Sequence, residues 1–204
     1  MNNSSTNTKE KIAEIVSTIF FPVFNSLITF LLIIFCDVNN TIDQKFLFFT
    51  VAIVFFVIVP TVLMIILKVL KKIRSFDVFE RQERIFPMII MVISYLIGFF
   101  ILSFFNEVPV FLRALMLCYA VNTFIVLIIT FWWKVSIHAL AISGPIVALN
   151  FFFGNIIIPF YLLIILVGYS RVILKRHTIA QVCVGSFIGV FSTAIQMYFY
   201  LKLF

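Results

Sequence analysis

The residues best suited to chemistry lie between Tyr169 and Gln181, where the chain reads Tyr-Ser-Arg-Val-Ile-Leu-Lys-Arg-His-Thr-Ile-Ala-Gln. One apolar run ends at Arg171 and another begins just after His177, so two predicted helix ends meet here. Lys175 and Arg176 fill the short connection between them. Three cations and an imidazole therefore lie together at a lipid–water boundary, in a chain with only 11% charged residues. This concentration of donors predicts an anionic ligand.

The second histidine, His138, follows Lys134 and Ser136 at the start of an earlier apolar run. We predict that both histidines lie on one membrane face. A phosphate ester in a lipid headgroup needs cationic donors, a nucleophile and an acid. Arg171 offers a planar fork for phosphate oxygens, Lys134 a point charge and Ser136 a hydroxyl at a helix start. One imidazole can attack phosphorus while the other gives a proton to the leaving oxygen.

Two further residues are candidates for this site. Gln181 lies four residues after His177, on the same helix face, where its amide oxygen can accept a ring proton and orient the imidazole. The segment 75–84 alternates acids and bases, which fits either an interfacial turn with internal ion pairs or a segment that points Arg81 or Arg84 back to the site. No third Cys, Asp or Glu ligand has zinc-like spacing, so we expect neither a metal nor a cofactor.

The composition predicts an all-α, polytopic membrane protein. Of the 204 residues, 64% are apolar and 28 are Phe, and the mean hydropathy is +1.22. Only a bilayer solvates this much hydrocarbon, and the runs are too long for barrel strands. We expect a single membrane domain over residues 1–204 with a polar tail at 1–11. The net charge of +7 lies beside spans, which favours lipid headgroups and excludes nucleic acid as the implied partner.

Seven spans are predicted, or six if the first or the short fifth and sixth are misread. Pro22 and Asn25 interrupt the first span, which predicts a kink or a helix that enters the membrane after Pro22. Pro87 is predicted to open the third span. The predicted spans are Ile12–Cys36, Phe46–Leu70, Ile85–Phe105, Val110–Phe131, Ser136–Phe153, Ile156–Leu174 and Thr178–Leu201.

Alternation of these spans places both histidine segments on the side that holds most of the basic residues. The positive-inside rule makes that side cytoplasmic. We therefore expect an integral protein of a bacterial cell (inner) membrane, with the oligomeric state left open. The basic residues on that side, twelve of fifteen, are Lys9, Lys11, Lys68, Lys71, Lys72, Arg74, Arg81, Arg84, Lys134, Arg171, Lys175 and Arg176.

The sequence Ser170-Arg171, five residues, then His177 resembles the third signature of the type 2 phosphatidic acid phosphatase family, shared with vanadium haloperoxidases. Lys134-Val-Ser-Ile-His138 is similar to the second signature, Pro-Ser-Gly-His, in Ser136 and His138 alone. The resemblance covers about residues 75–195. It implies a phosphohistidine on His177, His138 as general acid, and Arg171 and Ser136 as phosphate ligands.

The chain departs from the family pattern at three places. The first signature, Lys-x6-Arg-Pro, is represented only by Arg84-Ile-Phe-Pro87, which suggests Arg84 as a phosphate ligand. Gln181 stands where the family has Asp, and Val135 and Ile137 replace Pro and Gly. Two functions therefore remain open: a metal-independent lipid phosphate phosphatase, or a phospholipid-binding protein without turnover.

A transporter or channel ranks last among the functions considered. The clear polar residues deep in the spans are Asn122, Asn150 and Gln196. Hydrogen bonds between helices explain them more simply than an ion pathway does.

Overall fold

A computed structural model describes residues 3–74 and 80–203, with side chains from Thr8 onward. Residues 75–79, the first half of the segment 75–84 in which acids and bases alternate, lie outside the described residues. All regular elements within the described ranges are helical. The α-helices are α1 Asn3–Ile19, α2 Pro22–Cys36, α3 Ile42–Ile53, α4 Val59–Val69, α5 Arg81–Ser103, α6 Val110–Thr130, α7 Ile137–Phe153, α8 Leu162–Ile173, α9 Ile179–Phe187 and α10 Thr193–Leu203.

Five helical segments among the described residues are long and apolar enough to cross a membrane. A sixth is possible if α1 and α2, which bend by 44° at Pro22, form one broken span. The helical membrane fold and the break at Pro22 are thus confirmed, whereas the count of seven is not. The five segments are Ile42–Val69, Arg81–Ser103, Val110–Thr130, Ile137–Ile173 and Ile179–Leu203.

Short stretches of other helix types join some of the α-helices into these segments. A π-helical turn, Val54–Ile58, connects α3 to α4, and a second, Ile188–Ser192, connects α9 to α10. A π-helical turn adds one residue to the normal α-helical turn, so the helix segments before and after it present different faces to their neighbours. A 3-10 stretch, Gly154–Tyr161, follows α7 and begins at Gly154, whose φ of 72° only glycine adopts readily.

The segment Ile137–Ile173 reverses direction within this 3-10 stretch. His138 at its start and Arg171 near its end line the same cavity. A straight helix would separate them by about 50 Å, at 1.5 Å per residue. Accordingly, α8 packs back against α7. The reversal brings both predicted motif segments to one end of the bundle.

The helix bounds differ from the prediction at Pro87. This proline lies inside α5, which begins at Arg81, rather than opening the span. Proline inside a membrane helix is tolerated because neighbouring groups satisfy the freed carbonyl. The earlier start extends α5 by a turn that carries Arg84 into the protein interior, where it is 4% exposed.

Aromatic and apolar side chains from α2, α3, α5, α6 and the first π-helical turn fill the core. Phe56 of the first π-helical turn stacks on Tyr95 with ring centroids 4.6 Å apart, and Tyr119 meets Phe56 edge-on at 5.6 Å. Large apolar residues elsewhere on the spans face outward, such as Phe100 and Ile195. This distribution is what a lipid solvent requires.

Asn122 ties α6 to the last helix. Its Nδ2 donates to Thr193 Oγ1 at 2.8 Å, and its Oδ1 accepts from Ser192 Oγ at 2.6 Å and from Gln196 Nε2 at 2.9 Å. The prediction that helix-to-helix hydrogen bonds account for Asn122 and Gln196 is confirmed.

Candidate functional site

A cavity of about 200 Å³ lies inside the bundle and is lined at one end by four ionisable side chains. These are Arg84, His138, Arg171 and His177, which are 4%, 5%, 1% and 6% exposed. They come from α5, α7, α8 and the connection between α8 and α9. None of the described residues that line the cavity is acidic. Four of the seven predicted site residues therefore meet around one space, and its electrostatic character favours an anion.

The end of α8 places His177 over Arg171. Lys175 adopts the left-handed conformation, with φ 54°. The Arg176 amide donates to Arg171 O at 3.1 Å and the Lys175 amide to Val172 O at 3.0 Å, the two bonds of a Schellman helix end. The His177 amide also donates to Arg171 O, at 3.3 Å. The tight turn keeps the motif's arginine and histidine adjacent despite their separation in sequence.

Gln181 orients the His177 ring. The amide oxygen Oε1 accepts the Thr178 backbone N–H at 3.3 Å, while the Gln181 N–H donates to Thr178 Oγ1 at 3.3 Å, forming a capping box at the start of α9. Because a backbone N–H needs an oxygen, the amide orientation is fixed, and Nδ1 of neutral His177 must be the donor in its 3.0 Å contact with Oε1. The Nε2 atom then carries the lone pair.

His177 is held in its neutral form. Burial lowers its pKa from 6.5 to about 3, and the positive charges of Arg84, Lys134 and Arg171 act in the same direction, opposed by the hydrogen bond to Gln181. At neutral pH the ring is therefore unprotonated at Nε2. This is the form in which imidazole acts as a nucleophile or a base.

Close helix packing fixes His138 relative to His177. The Ser136 amide donates to Gln181 O at 3.1 Å, which joins the start of α7 to the first turn of α9. Gly185 permits this approach, because a Cβ at that position would lie 2.5 Å from Ser136 O. The His138 ring meets Phe21 edge-on, with centroids 5.4 Å apart.

Both buried arginines are positioned by groups that their motifs do not contain. Arg171 Nη1 donates to Ser17 Oγ of α1 at 2.6 Å, and Arg84 Nη1 donates to Val135 O at 3.0 Å. Ser17 and Phe21 were not among the predicted site residues. Nothing in their local sequence could have revealed them, since both act through contacts with distant parts of the chain.

The remaining predicted residues lie outside the cavity. Ser136 is fully buried, and its hydroxyl accepts from Ala139 N at 3.4 Å as the cap of α7. Lys134 Nζ donates to Arg176 O at 2.9 Å. Lys134 and Gln181 line a second, open pocket of about 350 Å³, together with Lys175 and Arg176. His177 lines both this outer cationic pocket and the first cavity.

Arg81, the other arginine considered for the site, instead joins two helix ends. Its Nη1 donates to Phe131 O at 2.8 Å, at the end of α6. The neighbouring Glu83 makes an ion pair with Arg74 at 3.8 Å. Of the two arginines, only Arg84 lines the cavity.

No group of three or more His, Cys, Asp or Glu side chains within the described ranges could hold a metal ion. No protein-family model, curated protein or solved structure matches the chain.

Proposed function

We propose that the protein is an integral membrane lipid phosphate phosphatase that works through a phosphohistidine on His177. The observation that carries this proposal is the grouping of two buried arginines and two buried histidines at one end of a largely apolar cavity. A lipid phosphate has the same two halves, a compact anion and a hydrocarbon chain. The site complements both.

Arg84 and Arg171 bind the phosphate oxygens in this proposal. Each already has one Nη1 donor held by Val135 O or Ser17 Oγ, which fixes the plane of its guanidinium. A fixed guanidinium needs little reorganisation as charge develops in the transition state. Arg84 and Arg171 come from different helices, so they can approach the phosphate from two directions.

The reaction takes two steps. Nε2 of His177 attacks phosphorus, the bond from phosphorus to the alcohol oxygen breaks, and His138 gives its proton to that oxygen. Water then attacks phosphorus while His138 accepts its proton. A new phosphorus–oxygen bond forms, the phosphorus–nitrogen bond breaks, and inorganic phosphate leaves as Nε2 recovers its lone pair. The neutral state of His177 and its Nδ1–H contact with Gln181 suit the first step.

The resemblance to type 2 phosphatidic acid phosphatases agrees with these roles at Arg171, His138 and His177, and suggests the same role for Arg84. Ser136 departs from it, since its hydroxyl caps α7 rather than lining the cavity. Gln181 also departs, because an amide orients the ring without stabilising its positive charge as a carboxylate does.

We further propose that the chain crosses the membrane seven times, with α7 and α8 as separate crossings and the site at the cytoplasmic face of a bacterial inner membrane. Contacts between connecting segments support two opposite ends. Asn40 Nδ2 donates to Glu107 O at 2.8 Å at one end, while Lys134 contacts Arg176 at the other. The basic residues cluster at the second end, as the positive-inside rule expects for the cytoplasm.

The direct test is release of phosphate from a lipid phosphate by purified protein in detergent with a chelator present. We expect activity that His177→Ala lowers by about 10³-fold or more, because it removes the nucleophile. Arg171→Ala should also inactivate, whereas Arg113→Ala, which removes a cation outside the cavity lining, serves as the matched control. Activity retained by His177→Ala contradicts the mechanism.

Gln181 also supports a second candidate function, a phospholipid-binding protein without turnover. With no carboxylate behind His177, the imidazole lacks the partner that would stabilise its cationic, phosphorylated form. In this case the wild-type protein binds a lipid phosphate but releases no phosphate. Gln181→Asp preserves a capping-box acceptor and should then create hydrolysis. An inactive Gln181→Asp variant would contradict this alternative.

A further inference from the structure

We propose that the apolar end of the same cavity holds one hydrocarbon chain of the substrate inside the helix bundle, so that the substrate class is single-chain lipid phosphates. This inference rests on the headgroup site of the proposed function. It adds where the chain goes, how many chains fit and what limits their length.

The cavity wall changes character away from the cationic end. Beyond Arg84 and His138 it is formed mainly by apolar side chains of α4, α5 and α6, including Met64, Met91 and Leu115. Apolar cavities of this kind exclude water and accept apolar guests. A guest anchored by its anion at the four ionisable residues would extend its hydrocarbon along this wall.

The aromatic cluster of Phe56, Tyr95 and Tyr119 lines the cavity away from the cationic end, since Tyr95 follows Arg84 on α5 by about 16 Å of helix. These rings line the cavity, and Phe56 and Tyr95 stack 4.6 Å apart. Phe56 has no room to retreat toward α5, because a Cβ on Gly98 would already lie 3.0 Å from its ring and 2.8 Å from Phe55 Cβ. A rigid floor sets a maximum chain length.

The volume admits one chain. An apolar cavity of about 150 Å³ holds a single benzene-sized guest. At about 200 Å³, the cavity has room for one chain segment and not for two chains side by side. A diacyl lipid would have to leave at least one chain in the bilayer.

The test measures binding of butyl, octyl, dodecyl and hexadecyl phosphate to the His177→Asn protein in nanodiscs, by displacement of radiolabelled octyl phosphate. In the His177→Asn protein, affinity should rise by about fourfold per methylene for short chains. It should stop rising once the chain is long enough to reach the aromatic cluster. Dioctanoyl phosphatidate should bind no more tightly than octyl phosphate. An affinity that rises without a limit, or does not rise at all, overturns the inference.

Cysteine substitutions provide matched variants. Cys118 lines the cavity, whereas Cys36 is exposed on the outer surface of the bundle. Cys118→Phe fills the chain space and should weaken dodecyl phosphate at least tenfold while leaving butyl phosphate within about twofold. Cys36→Phe should change neither. Equal loss of both ligands in a folded Cys118→Phe protein, or no loss of either, contradicts the chain site.

Met91→Trp fills the same wall from α5 and decides the outcome if Cys118→Phe does not fold. Because binding is measured without turnover, the two proposals fail separately. A chain-length limit without phosphate release in the wild type would leave the chain site standing and reject the phosphatase. Phosphate release by the wild type, with no effect of Cys118→Phe or Met91→Trp on binding, would support the phosphatase and reject the chain site.

Discussion

His177 is the residue on which the proposed chemistry depends, and its surroundings set its protonation state. Burial and three nearby cations lower its pKa to about 3, while Gln181 accepts the Nδ1 proton. A histidine in this state offers an unprotonated Nε2 throughout the physiological range. In the proposed mechanism the adjacent guanidiniums therefore have two effects: they attract the phosphate, and they keep His177 neutral.

The neutral state of His177 is directly measurable, because the chain has only two histidines. In a His138→Gln protein labelled with nitrogen-15 histidine, the single imidazole should show the Nδ1–H tautomer. Its shifts should stay constant from pH 7 down to pH 4, since the folded pKa lies below that range. Titration near pH 6.5 would show that burial and the cations do not act as described.

The hydrogen bond from His177 to Gln181 raises the pKa of His177, and this effect can be tested by adding a negative charge at position 181. In Gln181→Glu the carboxylate favours the imidazolium, so the pKa of His177 should rise. The same NMR titration measures the change. A pKa that stays equal or falls would indicate that residue 181 does not contact Nδ1.

The sequence predicted the local motif well, because Arg171 and His177 are joined by a short turn whose geometry depends on nearby residues. His138, which the sequence analysis placed in the same site, lines the same cavity as Arg171 and His177. The sequence could not show that Ser17 of α1 would hold Arg171, or that Ser136 would cap a helix instead of reaching the cavity. Those outcomes depend on contacts between helices far apart in sequence.

Packing between α7 and α9 holds the two chain segments that carry the histidines next to each other. Ser136 N bonds to Gln181 O, and Gly185 lets the backbones approach. The sequence pattern predicted the order of the helices and the break at Pro22, where α2 begins. It did not predict that α5 begins at Arg81. Pro22 does break the chain, whereas Pro87 is absorbed within α5, because the protein surroundings decide whether a proline ends a membrane helix.

Gly185→Ala should separate α7 from α9, because the added Cβ would meet the Ser136 carbonyl at 2.5 Å. We expect a loss of about 1–3 kcal/mol in stability, as for overpacked sites, and a larger fractional loss of activity than of folded protein. Thermal denaturation and phosphate release measure the two effects.

Gly168→Ala is the control for this substitution. Its Cβ would meet the Val182 side chain at 2.7 Å, and a side-chain methyl can move where a backbone carbonyl cannot. The control should cost less stability and keep most activity. Equal effects of the two alanine substitutions would contradict a specific role for the α7–α9 approach.

At the scale of the whole molecule, the reversal between α7 and α8 determines which residues share a membrane face. Composition predicted a helical bundle in lipid, but length alone counts Ile137–Ile173 as one segment. The shared cavity of His138 and Arg171 shows that this segment folds back. Hydropathy alone does not mark the reversal, since apolar residues continue through the turn, but Gly154 and Asn155 did divide the predicted spans Ser136–Phe153 and Ile156–Leu174 at this place.

Membrane topology tests the reversal and the seven-crossing proposal together. In a protein without native cysteines, single cysteines at Lys9, Lys72 and Lys175 should react with a membrane-impermeant maleimide from the cytoplasmic side. Cysteines at Asn39, Asn106 and Asn155 should react from the opposite side. Labelling of Lys175→Cys from the side that labels Asn106→Cys would mean that residues 137–173 cross only once.

The most direct test of the account is to trap the proposed covalent intermediate. Wild-type protein is mixed with an alkyl phosphate labelled with phosphorus-32, quenched within milliseconds in alkali and digested for peptide mapping. The account predicts an acid-labile, alkali-stable phosphoryl group on His177, absent from His177→Asn and accumulating when water attack is slowed. Phosphate release without any label on His177, or an equal label in His177→Asn, would contradict it.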